Sequence, residues 1–148
     1  MIEAASPGAA TLLAQLHARA FEKPWTEVEI AKLMENPTVF AFIHGDGAEA
    51  QGFVMGWAAG GDAEVLTVAV APEARRKGFG AALVTAVGVA AHARGAATIH
   101  LEVAEDNFAA RALYAKLGYA ESGRRRAYYA GVGGAVDAIV MRCALPRP

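Results

Sequence analysis

The chain has 148 residues, of which 55% are hydrophobic and 20% charged, and its 14 basic and 15 acidic side chains leave a formal net charge of −1. This length suits one globular domain over residues 1–148, and the near-neutral charge excludes a general attraction to nucleic acid or an anionic membrane. The start lacks a signal-peptide pattern, Cys143 is the single cysteine, and the four histidines lack metal-ligand spacing, so we expect a cytoplasmic protein without a disulfide or a metal.

The first part of the chain predicts a short edge strand and two helices. Residues 1–6 are typical of the strand, and residues 7–20 carry an apolar stripe with helical spacing. Thr26, followed three residues later by Glu29, has the spacing of a capping box. We therefore expect the second helix to begin directly after Thr26.

A β-meander follows these helices. The turn residues between its first two strands are Gly45, Asp46 and Gly47, a composition typical of a hairpin. Apolar, β-branched and aromatic runs predict strands over residues 39–43, 52–58 and 63–70.

In the second half of the chain, helices alternate with strands. A helix after Gly80 would present Leu83 and Val87 to the core, and the internal Gly88 indicates a close packing contact, because glycine is unfavourable within a helix. Residues 98–103 form the next predicted strand. Since a helix connects it to the preceding strand, the two are expected to be parallel.

The chain ends with a capped helix and two strands. Asp106 or Asn107 is the expected N-cap, and the residues expected to pack inward are Ala109, Ala112, Leu113 and Leu117. The last strands are predicted over residues 119–125 and 135–143. Together the elements predict an α/β fold with one mixed, mainly antiparallel sheet of six to seven strands and four helices.

The turn between residues 70 and 80 carries the clearest chemical signal. Pro72 ends a strand, Gly78 and Gly80 free the backbone to turn, and a helix then begins. Unpaired amides and the helix dipole favour an anion at such a point, and the basic run 75–77 adds positive charge. The spacing excludes the P-loop and dinucleotide patterns. A phosphate or pyrophosphate site is one interpretation, and an ordinary solvated basic turn is the other.

Four features, in order along most of the chain, identify a resemblance. Arg75-x-x-Gly78-x-Gly80, after a strand ending in Val-Ala-Pro, resembles the acetyl-coenzyme A signature of the GNAT superfamily of N-acetyltransferases. The other features are Pro-Trp-Thr-Glu at 24–27, Leu-Glu-Val at 101–103 with Asn107, and Ala-Leu-Tyr at 112–114. Within that superfamily the chain resembles the bacterial ribosomal-protein-alanine N-acetyltransferases, the RimI group.

This resemblance implies a GNAT fold whose sheet is splayed between strands four and five, and acetyl-CoA as the co-substrate. It implies direct acetyl transfer, in a ternary complex, to the N-terminal α-amine of a protein, with a ribosomal protein that starts with alanine as the leading acceptor. The residues implied to bind the cofactor are Val68, Ala69, Val70, Arg75, Arg76, Lys77, Gly78, Phe79, Gly80, Ala81 and Asn107.

The reaction itself restricts the catalytic groups. Acetyl transfer from a thioester to an amine needs a neutral amine, a hydrogen-bond donor for the oxyanion and an acid for the departing thiolate. Glu102 is the first candidate base, and Glu64, on the neighbouring strand, is its rival. Tyr114 is the candidate acid, since a phenol with a pKa of about 10 can protonate a thiolate. A backbone amide between residues 68 and 70 is the expected oxyanion donor.

The acceptor side is less specific. Many members of the superfamily have Arg-x-Ser between Leu-Glu-Val and Asn, whereas this chain has Ala104, Glu105 and Asp106 there. Acidic residues thus replace a basic one near the acceptor groove, which leaves the acceptor open. Residues 24–26 are candidates for one wall of the acceptor groove, and Tyr128 and Tyr129 for holding a peptide. A lysine side chain or a small amine is the alternative acceptor, and a non-catalytic acetyl-CoA-binding module is the alternative from another class of protein. The oligomeric state is left open.

Overall fold

The computed structural model of the chain describes residues 1–45, 49–131 and 134–146, with side chains described outside residues 127–134. The helices in this part are α1 (Ala10–Ala20), α2 (Glu27–Met34), α3 (Phe79–Ala93) and α4 (Phe108–Lys116), and short 3₁₀ turns cover Pro7–Ala9 and Pro72–Ala74. The strands are β1 (Ile2–Ala4), β2 (Val39–His44), β3 (Gly52–Ala59), β4 (Asp62–Val70), β5 (Thr98–Ala104), β6 (Ala120–Gly131) and β7 (Gly134–Ala144).

These strands form one sheet in the order β1-β2-β3-β4-β5-β7-β6. All neighbouring pairs are antiparallel except β4 and β5, which are parallel because α3 connects them. The predicted mixed, mainly antiparallel α/β sheet is therefore confirmed. The hydrophobic pattern predicted that the strand before the last ends at residue 125. In the structure this strand, β6, continues and forms a hairpin with β7 that is paired up to Gly131 and Gly134.

Each face of the sheet carries its own hydrophobic core. On one face, α3 and α4 pack against the sheet through residues such as Val87 and Tyr114. On the other face, α1 and α2 pack against β3 and β4 through residues such as Leu13, Ile30 and Phe53. A side chain's position along a strand therefore decides which pair of helices it meets.

A β-bulge in β4 opens the sheet. Met55 of β3 pairs with Thr67, whereas Gly56 pairs with Val65, so Leu66 is an extra residue in β4. Bulges bend a strand and increase its twist. The parallel pairing of β4 with β5 accordingly covers only Asp62 to Glu64 against Thr98 to His100. Beyond these residues the two strands separate, which confirms the predicted splay between strands four and five.

The local predictions have mixed outcomes. The capping box of Thr26 and Glu29 is present, and Asn107 caps α4 by accepting a hydrogen bond from the Ala110 amide at 3.2 Å. The predicted close contact at Gly88 is wrong, because an added Cβ would lie an ordinary 3.6 Å from the Leu145 side chain. In the first hairpin turn, Asp46 and Gly47 lie outside the described residues.

The predicted inward face of α4 is partly wrong. Ala109 and Ala112 are exposed, and Leu113 and Leu117 are only half-buried. Tyr114 is instead the buried residue of this helix. The helix therefore packs on its large aromatic side chain, because methyl groups alone would bury too little apolar area.

No helix in the described ranges is long and apolar enough to cross a bilayer.

Candidate active site

The turn before α3 is built to present backbone amides. Gly78 is the N-cap of α3 with φ of 82°, and Arg76 is also in the left-handed region with φ of 66°. Gly78 offers no capping side chain. The amides of Phe79, Gly80 and Ala81 have no partner within the helix, because the first turn of a helix leaves its N–H groups unpaired. Such amides at the positive end of the helix dipole fit an anionic group such as a phosphate.

The basic side chains of the turn are exposed to solvent. Arg75 is anchored, since its Nε donates a hydrogen bond to the carbonyl oxygen of Val70 at 3.2 Å. Arg76 and Lys77 form no ion pair with any described residue. Their charges are thus available to an anion at the start of α3.

The first residues of α3, directly after this turn, are closely packed. The rings of His44 and Phe79 stack with centroids 3.9 Å apart. A Cβ on Gly80 would lie 3.5 Å from the Leu113 side chain, so α3 begins directly against α4. Burial lowers the pKa of His44 below its ordinary value, so its ring is held neutral at neutral pH.

Unpaired backbone groups line the edge of β4 in the opening between β4 and β5, called here the split. The Ala71 amide donates to the Gln51 carbonyl at 2.8 Å on the β3 side. Because backbone groups alternate between the two edges of a strand, the amides of Val70 and Val68 point into the split. The contact of Arg75 with the Val70 carbonyl lies at this same edge. The split therefore presents the amides of Val68 and Val70 beyond the last pair of β4 and β5, and their role as oxyanion donors stays a prediction.

Glu102 lies on β5 at the level of the bulge. His100 forms the last parallel pair with Glu64, so Glu102, two residues further along, faces Leu66 across the split. Its neighbours Leu101 and Val103 are buried in the core under α3 and α4, which places the Glu102 carboxylate on the opposite face, the side of α1 and α2. The side chain is 23% exposed, and its Oε1 accepts a hydrogen bond from Arg125 Nη1 at 2.9 Å.

Glu64, the rival base, lies in a different setting. It belongs to the short paired segment of β4 and β5, before the strands separate. Its Oε1 accepts a hydrogen bond from Trp57 Nε1 at 3.2 Å. This carboxylate is therefore tied to the sheet outside the split, rather than solvated as a charged residue at a strand start usually is.

Tyr114 approaches the sheet from the other face. It is 7% exposed and lies in the core under α3 and α4. Its ring lies 6.1 Å from that of Tyr119. Glu102 and Tyr114 thus occupy opposite faces of the sheet, and the split is the opening that connects these faces.

Glu105, in the acidic segment after β5, is ion-paired with an arginine. Glu105 Oε1 lies 2.9 Å from Arg124 Nη1, which also lies 2.9 Å from Oδ2 of Asp137. Hydrogen bonds to Asp137 and Glu105 raise the pKa of Arg124 further above its ordinary value. Arg124 is thus shared by Glu105, Asp137 and, at 3.9 Å, Glu121, and it offsets only one of their negative charges. The side chains of Tyr128 and Tyr129 lie outside the described part of the structure.

His17 is a site feature that the sequence analysis missed. It lies on α1, is 2% exposed and stacks between Phe21 and Trp25. Burial lowers the pKa of its imidazole, against an opposing effect of the Glu29 carboxylate. The spacing of His17, Phe21 and Trp25, four residues apart along the chain, is the signal in the sequence that could have identified this cluster.

Comparison with known proteins agrees with this geometry. Residues 10–119 match the family model described as the acetyltransferase (GNAT) family. The ribosomal protein bS18-alanine N-acetyltransferase of Escherichia coli is 35% identical over 128 residues, which cover 86% of this chain and 84% of the relative. Its Salmonella typhimurium counterpart is 41% identical over 85 residues, covering 57% of this chain and 56% of the relative.

A solved structure extends the likeness to the whole fold. The crystal structure of a ribosomal-protein-alanine N-acetyltransferase from Escherichia coli matches with a TM-score of 0.89 and 29% identity, over 100% of this chain and 96% of that one. The chain belongs to the acetyltransferase (GNAT) family. Its activity is that of an acetyl-CoA-dependent N-acetyltransferase.

The site fits this co-substrate on two observations. The amides at the start of α3, with Arg76 and Lys77 beside them, suit its pyrophosphate. The unpaired edge of β4 suits the amide-containing arm that carries the thioester, because an extended chain can bond to a free strand edge. Asn107 is already engaged as the cap of α4, and its predicted contact with the cofactor stays a prediction.

Proposed function

We propose that the protein acetylates the N-terminal α-amine of a ribosomal protein that begins with alanine. The observation that carries this proposal is the 35% identity to the Escherichia coli bS18-alanine N-acetyltransferase over 86% of the chain. The position of Glu102 supports it, since a carboxylate on the α1 and α2 face can receive a proton from an amine that enters the split there.

The base and the acid act from opposite faces of the sheet. Glu102, at an Oε atom, takes the proton of the acceptor amine directly or through a water. Tyr114 supplies its phenolic proton to the thiolate from the side of α3 and α4. The amides of Val68 and Val70 stabilise negative charge on the acetyl oxygen, because fixed donors act strongly in a site with little water. Base and acid then do not compete for the same proton.

Cofactor binding is assigned to the turn and the β4 edge. The backbone amides of residues 78–81 and the side chains of Arg75, Arg76 and Lys77 hold the pyrophosphate. The bound co-substrate supplies an activated acetyl thioester. These contacts are made equally before and during the reaction, so they contribute affinity more than turnover.

The alternative acceptors have less support. An acidic, open groove would favour a lysine side chain, whose amine is almost fully charged at neutral pH, or a polyamine, which carries further positive charges beside the reacting amine. Glu105, the acidic residue closest in sequence to the end of β5, is paired with Arg124. Arg125 adds a further positive charge beside Glu102. A positive charge at this position disfavours an acceptor with further cationic groups close to the reacting amine.

Three peptides that differ in one property each would test the acceptor. The first carries a free N-terminal alanine followed by a ribosomal-protein N-terminal sequence with one internal lysine. The second is the same peptide with an acetylated N-terminus, so that the lysine is its one free amine, and the third begins with a bulky residue in place of alanine. We expect thiol release and a mass increase of one acetyl group with the first peptide alone. Acetylation of the lysine peptide, or of spermidine, at an equal rate would contradict the proposal.

A further inference from the structure

We propose that His17 is a positioning residue that holds the segment between α1 and α2 against β4 at the level of Glu102, and thereby forms the acceptor side of the site. That segment is residues 21–26, here called the acceptor loop. The inference rests on the proposed function for the identity of the acceptor, whereas the anchoring of the loop can be tested without any substrate.

The two ring nitrogens of His17 contact two different elements. Nδ1 accepts a hydrogen bond from the Trp25 amide at 3.1 Å, and Nε2 lies 3.3 Å from Oγ1 of Thr67 on β4. Since Nδ1 accepts, the proton of the neutral ring is on Nε2, which donates to the Thr67 hydroxyl. A single imidazole on α1 therefore joins the acceptor loop to β4.

Stacking holds the loop from both sides of the same ring. The Phe21 ring lies 4.2 Å from the imidazole centroid with an interplanar angle of 21°, and the Trp25 ring lies 4.9 Å away at 18°. Phe21 begins the loop and Trp25 lies near its end. Both ends are thus fixed on His17, and Thr26 then caps α2.

The anchor point on β4 is next to the reacting centre. Thr67 directly follows the bulge residue Leu66 and directly precedes Val68, whose amide points into the split. The register of β4 and β5 places Glu102 across the split at this level. Moreover, α1 and Glu102 lie on the same face of the sheet. A shift of His17 would therefore move the acceptor loop relative to the base.

A purely hydrophobic side chain would satisfy the core but not these contacts. The Trp25 amide is part-buried and bonds to His17 Nδ1, so loss of that acceptor leaves a donor without its partner. His17 is also one of only two polar residues that are buried in the described part of the chain, and the other is its partner Thr67. These two buried polar side chains therefore satisfy each other.

Two variants of His17 whose side chains have the same shape distinguish the effect of the Trp25 hydrogen bond from the effect of packing. In His17→Asn the side-chain oxygen can occupy the Nδ1 position, whereas in His17→Leu a methyl group occupies it. Selective ¹⁵N-tryptophan labelling gives two backbone signals, since Trp25 and Trp57 are the two tryptophans. We expect hydrogen exchange at Trp25 to accelerate about tenfold or more in His17→Leu and to stay near wild type in His17→Asn. Trp57 should be unchanged in both.

Equal exchange at Trp25 in the two variants would overturn the anchoring role. Should His17→Leu fail to fold, His17→Gln repeats the comparison, because its amide reaches the Nε2 position and leaves the Nδ1 position empty. Thr67→Val removes the contact on β4 while the Trp25 bond remains, so the Trp25 amide should keep its protection in that variant.

Steady-state kinetics with the N-terminal alanine peptide test the effect on the acceptor. We expect His17→Leu to raise the KM of the peptide about tenfold, with the KM of acetyl-CoA and kcat within about twofold of wild type, and His17→Asn to restore the peptide KM. If His17→Leu raised both KM values and lowered kcat to a similar extent, the role of His17 would be structural alone, and the inference would be overturned. If wild-type protein turned over no peptide, the proposed acceptor would be wrong, while the Trp25 exchange would still decide the anchoring.

Discussion

The Nη1 atom of Arg125 lies 2.9 Å from Oε1 of Glu102, so the proposed base is ion-paired before any acceptor arrives. The guanidinium comes from β6, two strands away from β5 in the sheet order. An N-terminal ammonium that reaches Glu102 would compete with Arg125 for this carboxylate. The pair is partly exposed, with 53% of the Arg125 side chain accessible, so it is exchangeable at small energetic cost.

Turnover should depend on the carboxylate of Glu102, the proposed base. Glu102→Gln is expected to lower turnover by roughly 10²- to 10⁴-fold, the usual contribution of a general base, while acetyl-CoA still protects the protein from thermal unfolding. Activity should recover in part at high pH, where the amine is already neutral. Initial rates across a pH series measure both effects.

Glu64→Gln is the matched control for this experiment. Glu64 lies outside the split and bonds to Trp57, so its replacement should change turnover much less. If Glu64→Gln lost activity and Glu102→Gln kept it, the base would be on β4 and the acceptor would enter from a different direction.

Replacement of the acid should give a different pH response. Tyr114→Phe keeps the ring in the core under α3 and α4 and removes only the hydroxyl group, so we expect the variant to fold and its kcat to fall clearly. Raising the pH should not relieve this fall, because a neutral amine does not help the thiolate to leave. Recovery of Tyr114→Phe at high pH, parallel to that of Glu102→Gln, would exclude the proposed role.

The two glycines of the turn should behave differently. Gly78 has φ of 82°, so Gly78→Ala places a side chain in the left-handed region and should cost about 1 kcal/mol of stability. Gly78→Asn is its control, since asparagine tolerates this conformation better. At Gly80 an added Cβ meets only ordinary contacts, so Gly80→Ala should fold normally.

We expect Gly80→Ile, in contrast, to bind acetyl-CoA more weakly, because its larger side chain must fit against Leu113 and Val70 and would displace the amides that face the pyrophosphate. Isothermal titration calorimetry measures the affinity, and the increase in Tm caused by acetyl-CoA checks it independently. An affinity equal to wild type in Gly80→Ile would contradict a pyrophosphate site at this turn.

Acid should destabilise the fold through the α1–α2 region. Burial lowers the pKa of His17 below 6.5, so the unfolded chain takes up a proton first, and the stability that the neutral ring contributes is lost as the pH falls below that value. Hydrogen bonds from Thr26 lower the pKa of Glu29 below 4.5, which adds a second loss at lower pH. Urea unfolding at several pH values should show a smaller slope with pH below about 6.5 in His17→Asn than in wild type. Replacement of the exposed His92 by glutamine should leave this slope unchanged.

Much of the fold could be predicted because it depends on neighbours in the chain. The capping box of Thr26 and Glu29 joins residues three apart, and Asn107 caps the helix that begins beside it. The parallel pairing of β4 and β5 follows from the helix between them and from chirality alone. The amide-presenting turn at Gly78 is likewise local, since glycine permits its positive φ.

The tertiary structure decided what depends on distant residues. The bulge at Leu66 arises from the pairing of β4 with β3, and the separation of β4 from β5 leaves Val68 and Val70 at a free edge. The Glu102–Arg125 pair joins two residues that are 23 positions apart in sequence. Tyr114, rather than Ala109 or Ala112, is the buried residue of α4, because its ring packs in the core that the helix faces. His17 meets Thr67 fifty residues away. Such contacts come from the packing of whole elements, to which no local pattern of residues corresponds.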